Sequence, residues 1–542
     1  MGAEQSTLAQ NGYVLQKETE SGSVYTKGDD TFLIKKIILD QTTGKADPAL
    51  TSEIEILKTT SHPHIVNSKN SFKDKDEKTN YVVMDYCQGG SLAAKITEMS
   101  DSPKEFEVLS WIVEICMALR IIHEKGLLHK HLTPENILLT EFGIVCLDGF
   151  GKIHENSKNP AANPMEKINY LPPEVFVNGT YDAKSDIWSV GCILYELCTR
   201  QLAFSAETTI KMMPKIINGP YPSLTEPFSP ELCELLNDIL NKDPQSRPTA
   251  SEILERPFIV NCLSEKCKTT VKELQTKLDK LREVADGLER VHEGTTIGSL
   301  AGGVIGAVGG ITSIVGLVLA PFTLGASLIV TGVGVGVSVA GGVTAGASNI
   351  TNMVNQSSDR KAVRSIIKEL EQKVIAVTTW LQEIGCESVD ITDNENSELN
   401  EDNVLRLGCR AAKCLGGISE AVRLGRVLTI GKTVAQTSRV VRVAEVATGV
   451  FSGLFVAVDG FFIAMDAKEL HHIRQAKAIE EKGRDVSDKS DKSEAQNQPS
   501  QNTTPIRSEI MKFVHSIRQA ADQLQKILDE LKSSINVTQG LH

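Results

Sequence analysis

The stretch LLHKHLTPENILL (residues 127–139) decides the reading of the first half of this chain. It is a short polar loop carrying His129, His131, Thr133 and Asn136 between apolar flanks, and VCLDGFGKI follows at residues 145–153. Upstream, FEVLSWIVEICMALRIIHE (106–124) repeats apolar residues at intervals of three and four, the period of an amphipathic helix. Strand-like runs precede it, FLIKKIIL (32–39) and YVVMDY (81–86), and GIVCL (143–147) lies just past the loop. Strands come first and helices later, which predicts an α+β domain over residues 11–260.

The whole chain, 542 residues, is too long for one core, since a domain takes about 100–200 residues. Its net charge of -12 comes from dispersed acidic residues without a long basic tract, so nucleic acid is not an expected partner. Eleven cysteines are scattered without CxxC pairs or metal-ligand spacing, and no secretory signal precedes them. They read as reduced thiols in a cytosolic compartment, with no metal site. Residues 1–10 form a tail in which Gly2 becomes terminal once Met1 is removed and Ser6 completes a myristoylation pattern. One acyl chain holds a membrane weakly and needs a second anchor.

Past residue 260 the pattern is helical. Val271, Leu274, Leu278, Leu281, Ala285 and Leu288 step by three and four within a linker helix over 263–292, either a coiled-coil or bundle helix or one packed on its own domain. From Thr295 to Ser358 there is no charged residue. A bilayer core about 30 Å thick takes about 20 apolar helical residues, so this run is long enough for two passes. Pro321 divides it into the arms of a helical hairpin, residues 296–320 and 322–350. Gly298, Gly302, Gly306 and Gly310, then Gly332 with Gly336 and Gly342 with Gly346, repeat the GxxxG spacing that brings helices together in lipid. The alternative is a buried hairpin in a soluble bundle that opens on contact with lipid.

A second apolar run, residues 447–465, is interrupted by Asp459. A carboxylate there marks a polar path, or a segment that is not a simple span, or a helix buried in protein with its acid paired. Val363, Ile367, Leu370, Val374, Val377 and Leu381 line one face of a helix over 361–384. Residues 474–505 are polar and charged and read as a flexible linker. The last helix, 506–535, places Ile506, Ile510, Phe513, Ile517, Ala520, Leu524, Ile527 and Leu531 in heptad steps, inviting pairing with the helices near 271 or 370.

With YVVMDYCQGGSL as a hinge and KSDIWSVGCILYELCT (184–199) as a central helix, residues 11–260 resemble a protein kinase domain, most similar to the NIMA-related (Nek) serine/threonine kinases. The resemblance implies a bilobal fold with a nucleotide cleft. It assigns Lys35 to the nucleotide phosphates and Glu53 to the helix partner with which Lys35 forms an ion pair. Met84 then guards the adenine pocket and Asp85, Tyr86 and Cys87 form the hinge. Glu174, Asp186 and Arg247 match residues that fasten the activation segment and central helix.

The chemistry departs from the family. Phosphoryl transfer needs a phosphate cradle, a carboxylate to orient the attacking hydroxyl, and metal ligands. Of the three loop glycines only Gly22 stands, with Lys17 and Thr19 at the other two places. His131 replaces the catalytic Asp and Thr133 the assisting Lys, while Asn136, the second metal ligand, is kept. Gly149 replaces the metal-binding Asp. Asp148 is next door, but on an extended strand a one-residue shift turns a side chain to the opposite face. Lys167 takes the place of a substrate-facing Thr, leaving Ser157 and Tyr170 as the segment's hydroxyls. His131 either accepts a proton near neutral pH or packs in a non-catalytic loop. The expectation is a pseudokinase for which ATP is a candidate ligand without Mg²⁺; its rival is an active kinase using His131 or Asp148.

From LERVHEGTTIGSLAGG to the hairpin around LAPFTLGASL, and more weakly in GVFSGLFVAVDGFFIAMDAKEL, the chain from about Leu288 to Leu470 is similar to the apolipoprotein L family, which sets a region at 293–473. That resemblance implies an all-helical, lipid-interacting region. The expected whole is a multidomain chain at the cytoplasmic face of intracellular membranes, its kinase-like domain and coiled-coil helices binding a protein partner and its hairpin binding lipid. A soluble lipid-transport protein is the other alternative.

Overall fold

A computed structural model describes residues 7–19, 22–38, 48–74, 79–101, 103–151, 153, 168–220, 222–224, 227–298, 345–390, 440–464, 467 and 504–539. The chain divides into two compact units, Met1–Cys267 with Gln382–Ile418, and Lys268–Leu381 with Ser419–His542.

The first unit opens on a five-stranded antiparallel sheet ordered β1-β2-β3-β5-β4. Its strands are β1 (Val14–Thr19), β2 (Gly22–Lys27), β3 (Asp30–Ile38), β4 (Ser68–Lys73) and β5 (Thr79–Asp85). β3 and β5 sit inside the sheet, and Leu33, Ile34, Ile37, Val82, Val83 and Met84 are buried. Such strands read as continuous apolar runs rather than alternating ones. Helix α1 (Pro48–Thr59) buries Leu50, Glu53, Ile54 and Leu57. Thr7 and Leu8, which the sequence leaves in the tail, also belong here. Leu8 packs with Tyr13, Ile34, Tyr81 and Val83, and Thr7 Oγ1 donates to Asp74 Oδ1 at 2.6 Å.

Below the sheet the unit is helical: α2 (Leu92–Glu98), α3 (Glu105–Glu124), α4 (Pro173–Asn178), α5 (Ala183–Thr199), α6 (Thr209–Asn218), α7 (Pro230–Ile239) and α8 (Ala250–Leu254). The strand pair β6 (Ile137–Leu139) and β7 (Val145–Leu147) carries the functional loops on its ends. α3 is apolar on nearly every face and fully buried at Val108, Ile112, Ile115, Leu119 and Ile122, so it is the axis of this half. α5 starts at a reciprocal cap in which Asp182 accepts from the Ser185 amide and Ser185 Oγ accepts from the Asp182 amide. Its Trp188 is buried against Phe204.

The helix α9 (Pro257–Gly298) begins in the first unit, where Ile259, Val260, Leu263 and Cys267 are buried, and continues into the second. Among the described residues the second unit holds α9 from residue 268, α10 (Ala345–Asp390) as far as Leu381, α11 (Val440–Ala464) and α12 (Thr504–Gln539). Every apolar position singled out on α9 and α10 is buried, as are Ile510, Phe513, Ile517, Ala520, Leu524, Ile527 and Leu531 of α12. α12 pairs with α9 as expected. Gln525 and Gln275 exchange side-chain hydrogen bonds, and Arg518 binds Asp286 at 2.7 Å and Glu289. Phe513 also stacks on Phe461 of α11 with centroids 4.4 Å apart.

α10 differs from the expected division into a hairpin arm ending at 350 and a separate helix from 361. It runs unbroken from Ala345, because no proline or glycine stands between Gly346 and Gly385 to stop it. Gly298 ends α9 and Gly346 lies in the first turn of α10. Gly302, Gly306, Gly310, Pro321, Gly332, Gly336 and Gly342 lie outside the described residues, as does Gly2. Among those described, α11 is the one helix long and apolar enough to cross a membrane, with a mean hydropathy of 1.9.

Candidate functional site

Lys35 projects from β3, the middle strand of the sheet, where it pairs with Val82 of β5. Sequence reasoning pairs it with Glu53. Instead Lys35 Nζ donates to Asp148 Oδ1 at 2.6 Å, with the two side chains 3% and 2% exposed. Glu53 Oε1 accepts the Ile153 amide at 2.9 Å. The alternation argument for Asp148 therefore fails locally, for an identifiable reason. β7 ends at Leu147, and the chain turns through Gly149 at φ +77°, so strand geometry does not extend past Asp148.

Gly149 is where a glycine is required. A Cβ there would lie 2.7 Å from Asn136 Cγ and 2.8 Å from its Oδ1, on a backbone that L side chains rarely adopt. Asn136 is itself committed: its Nδ2 donates to His131 O at 2.7 Å, and its carbonyl accepts the Asp148 amide at 2.9 Å. Thr133 is buried, and its carbonyl accepts the Asn136 amide, closing the turn Pro134–Asn136.

The loop before them is fastened from below. Asp186 Oδ2 accepts the His129 amide at 2.9 Å and Oδ1 the Lys130 amide at 3.0 Å, while His123 Nε2 lies 2.8 Å and the Tyr181 hydroxyl 2.5 Å from the same carboxylate. These bonds hold Lys130 at φ +67°, a conformation costing a non-glycine residue roughly 1–2 kcal/mol. Burial opposes ionisation of Asp186, but the His123 and Tyr181 contacts outweigh it and hold the carboxyl below its usual range. His123 and Tyr181 carried no sequence signal as its partners. They come from α3 and from the turn before α5, elements far apart in the chain.

Burial pushes the His129 imidazole down to about 4, against the attraction of Asp186, and lowers that of His64, which packs beside Glu114 and Val145 O. Folded, His129 stays neutral down to that value, whereas in the unfolded chain it takes up a proton below 6.5. Acid therefore favours unfolding between the two. We expect His129 alone to remove about 2 kcal/mol from this unit at pH 5, at about 1.4 kcal/mol per pH unit. Hydrogen exchange at the His129 and Lys130 amides, corrected for intrinsic rates, should lose protection between pH 7 and pH 5. Unchanged protection would contradict it.

The upper wall of the cleft comes from the β1–β2 hairpin. Gly22, at φ +146°, passes close to β3, where a Cβ would lie 3.1 Å from Ile34 O, and Thr19 Oγ1 donates to Gly22 O at 2.6 Å. Lys17 sits over the Tyr86 ring of the hinge at 5.4 Å, a contact the sequence reading missed. Met84 and Cys87 are buried, and Asp85 meets Lys69 at 3.0 Å near the surface. Farther down, Arg247 Nη1 and Nη2 grip Glu174 Oε1 and Oε2 at 2.7 and 2.8 Å. Of the activation-segment residues, Ser157 and Lys167 lie outside the described range. Tyr170 is buried and donates to Glu196 Oε2 at 2.6 Å, and burial pushes its hydroxyl above its ordinary value.

Whether this set suits the Mg²⁺ and nucleotide that the resemblance implies turns on its donors. One carboxylate faces Lys35, and it is already bonded to it; the place of the main metal ligand is a glycine packed on Asn136. As arranged, the residues do not fit a pair of metal ions. Lys35, which the resemblance assigns to the phosphates, is already paired with Asp148.

In the second unit, Asp459 of α11 meets Arg364 Nη1 at 2.7 Å and Arg360 Nη2 at 3.0 Å. Of the features the sequence left open for Asp459, the paired acid is observed. On α11 Val446 is 55%, Val456 71% and Ile463 58% exposed, the last two on the same side as Asp459, so the helix is only partly covered.

Residues 20–259 match the protein kinase domain family, and residues 263–482 match the apolipoprotein L family. Serine/threonine-protein kinase Nek1 of Mus musculus is 36% identical over 249 residues, covering 45% of this chain and 20% of that protein. Nek4 of Mus musculus is 33% identical over 273 residues, covering 49% of this chain and 34% of the relative. Nek11 of Homo sapiens is 30% identical over 296 residues, covering 52% and 45%. The chain thus spans less than half the length of these relatives, and the likeness lies in its first half.

Proposed function

We propose that this chain, which joins an N-terminal protein kinase domain with Nek homologues to a C-terminal apolipoprotein L region, is a non-enzymatic regulator. In this reading its kinase domain binds a protein partner, and its helical region engages membrane lipid at the cytoplasmic face of an intracellular membrane. The observation that carries it is the arrangement around Lys35: the lysine is paired with Asp148, and Gly149 is packed on Asn136 where a metal-binding carboxylate belongs. Losing a general base costs about 10²–10⁴ in rate, and losing the main metal ligand forfeits several kcal/mol more of charge stabilisation.

The test is phosphate transfer by the purified chain with ATP and Mg²⁺ or Mn²⁺, compared with Lys35→Ala. We expect equal background from both; turnover that Lys35→Ala abolishes refutes the proposal. One observation favours the rival, an active kinase: the Asp148 carboxylate reaches Lys35 in the cleft, so a metal could recruit it. That reading predicts Mn²⁺-dependent turnover lost in Asp148→Asn. For the helical region, retention in the membrane pellet after alkaline carbonate supports lipid engagement, and extraction into buffer favours a soluble lipid carrier.

A further inference from the structure

We infer that Lys266 supplies a removable counter-charge to the network that fixes β7: it neutralises buried Glu114, and when it is withdrawn His64 takes up a proton in its place. Lys266 lies past the end of the kinase match at residue 259, within the segment that matches the apolipoprotein L family from residue 263. The inference goes beyond the non-enzymatic reading and holds whether or not the cleft transfers phosphate.

Glu114 stands in α3 with its side chain 2% exposed, where an ionised carboxylate without a partner is costly. Lys266 Nζ, from α9, meets its Oε1 at 2.5 Å and also donates to Ser110 O at 3.1 Å. The other carboxylate oxygen, Oε2, accepts the Val145 amide at 2.8 Å. Val145 O in turn lies 2.9 Å from His64 Nδ1; a carbonyl only accepts, so this nitrogen carries the ring proton and donates it. His64 O accepts the Leu147 amide, and Leu147 O accepts the Val66 amide, both at 2.9 Å. A lysine from outside the kinase match thus completes the network that fixes β7. That strand ends at Leu147 and runs directly into Asp148, the partner of Lys35.

The charges around His64 decide where a proton goes when Lys266 leaves. His64 is wholly buried, and its Nδ1 lies 3.7 Å from Glu114 Oε2. Burial holds the imidazole below its ordinary value and Lys266 adds to this, against the pull of Glu114 and the Val145 carbonyl. The neighbouring His62 ring, 5.5 Å away, is no competitor for the proton: burial pushes it down to about 2, with His64 and Arg120 adding to the effect. The Cys146 thiol of β7 already holds its proton, through its contact with Cys87 and through burial. Removing the Lys266 charge therefore strips His64 of a repulsion and leaves Glu114 its attraction. An imidazolium beside the carboxylate then restores neutrality, because two opposite charges out of water hold each other far better than one stands alone. Any shift of the start of α9 is thereby converted into a change of protonation beside β7.

The experiment compares full-chain wild type, Lys266→Met, Lys266→Arg and the double variant Lys266→Met/Glu114→Gln. It uses NMR titration of histidine labelled at Cε1, with His64 assigned through His64→Gln, and pH-dependent hydrogen exchange at the Val145 and Leu147 amides, corrected for intrinsic rates. Lys266→Met is expected to raise the His64 midpoint by about one unit or more, a roughly tenfold gain in proton affinity. Lys266→Arg should keep the wild-type affinity to within about threefold, and the double variant should bring the midpoint back down, because the attracting carboxylate is gone. Protection of Val145 in Lys266→Met should fall about tenfold or more at neutral pH, and this deficit from wild type should shrink as acid supplies the replacement proton. A merely structural loss gives a deficit that pH does not change. A His64 midpoint unmoved by Lys266→Met, a pH-independent deficit, or a midpoint that stays raised in the double variant overturns the inference. Should Lys266→Met not fold, Lys266→Gln decides by the same criteria, since it removes the charge and keeps a donor for Ser110 O. Phosphate transfer in the same samples bears on the non-enzymatic reading alone.

Discussion

Replacing Arg247 with methionine is expected to destabilise the first unit by about 3–5 kcal/mol, the cost of leaving a buried charge without its partner. Arg247 is 1% exposed, grips Glu174 through both terminal nitrogens and lies over the Trp188 ring at 4.9 Å. Its Nε donates to Asn241 O at 2.6 Å, so one side chain ties α4, the start of α5 and the loop after α7 together. Methionine keeps much of the stem's packing but none of the five donors. Glu174 retains only the Ser185 hydroxyl, at 2.8 Å. Urea unfolding followed by hydrogen exchange of the α5 amides measures the loss. Adding Glu174→Gln should recover a large part of it, because the orphaned charge is then gone. A loss under about 1 kcal/mol would place the pair among surface bridges in its worth, contrary to its burial.

The second large effect concerns the metal loop. Restoring the family's carboxylate by Gly149→Asp is expected to destabilise the unit by about 3 kcal/mol or more and to restore no phosphate transfer. The φ of +77° costs a side chain roughly 1–2 kcal/mol, although Asp tolerates it better than most. The new Cβ would overlap the Asn136 amide, which must move and give up its bond to His131 O. A second carboxylate is also brought beside buried Asp148, which holds Lys35 already. The thermal midpoint and transfer assay of Gly149→Asp check both parts. A stable variant that gains turnover would mean that the loop relaxes readily into a metal-binding form.

Much of this architecture was legible because it rests on periodicity. The apolar steps at Val271 to Leu288, Val363 to Leu381 and Ile510 to Leu531 each specify a helix face, and every one of those residues is buried. Likewise the apolar runs FLIKKIIL and YVVMDY read as strands, and both form strands inside the sheet. The motifs at residues 127–139 and 184–199 placed His129, Asn136 and Asp186 in their loop and helix, and the kinase resemblance assigned Glu174 and Arg247.

What the sequence could not give was partnership across the fold. The kinase resemblance identified Lys35, Glu53 and Asp148 as charged groups of one cleft, but the partner of Lys35 depends on the backbone direction at Gly149. That direction follows from contact with Asn136, thirteen positions earlier on another strand end. Likewise Asp459 was recognisable as an acid too costly to leave bare in an apolar helix, while its two arginines are supplied by α10, which only packing brings alongside. The sequence by itself determined which segments bury themselves and which chemical groups they carry. The tertiary structure alone decided which opposite charges meet, because an ion pair's strength is set by separation and desolvation, and neither is a property of spacing along a chain.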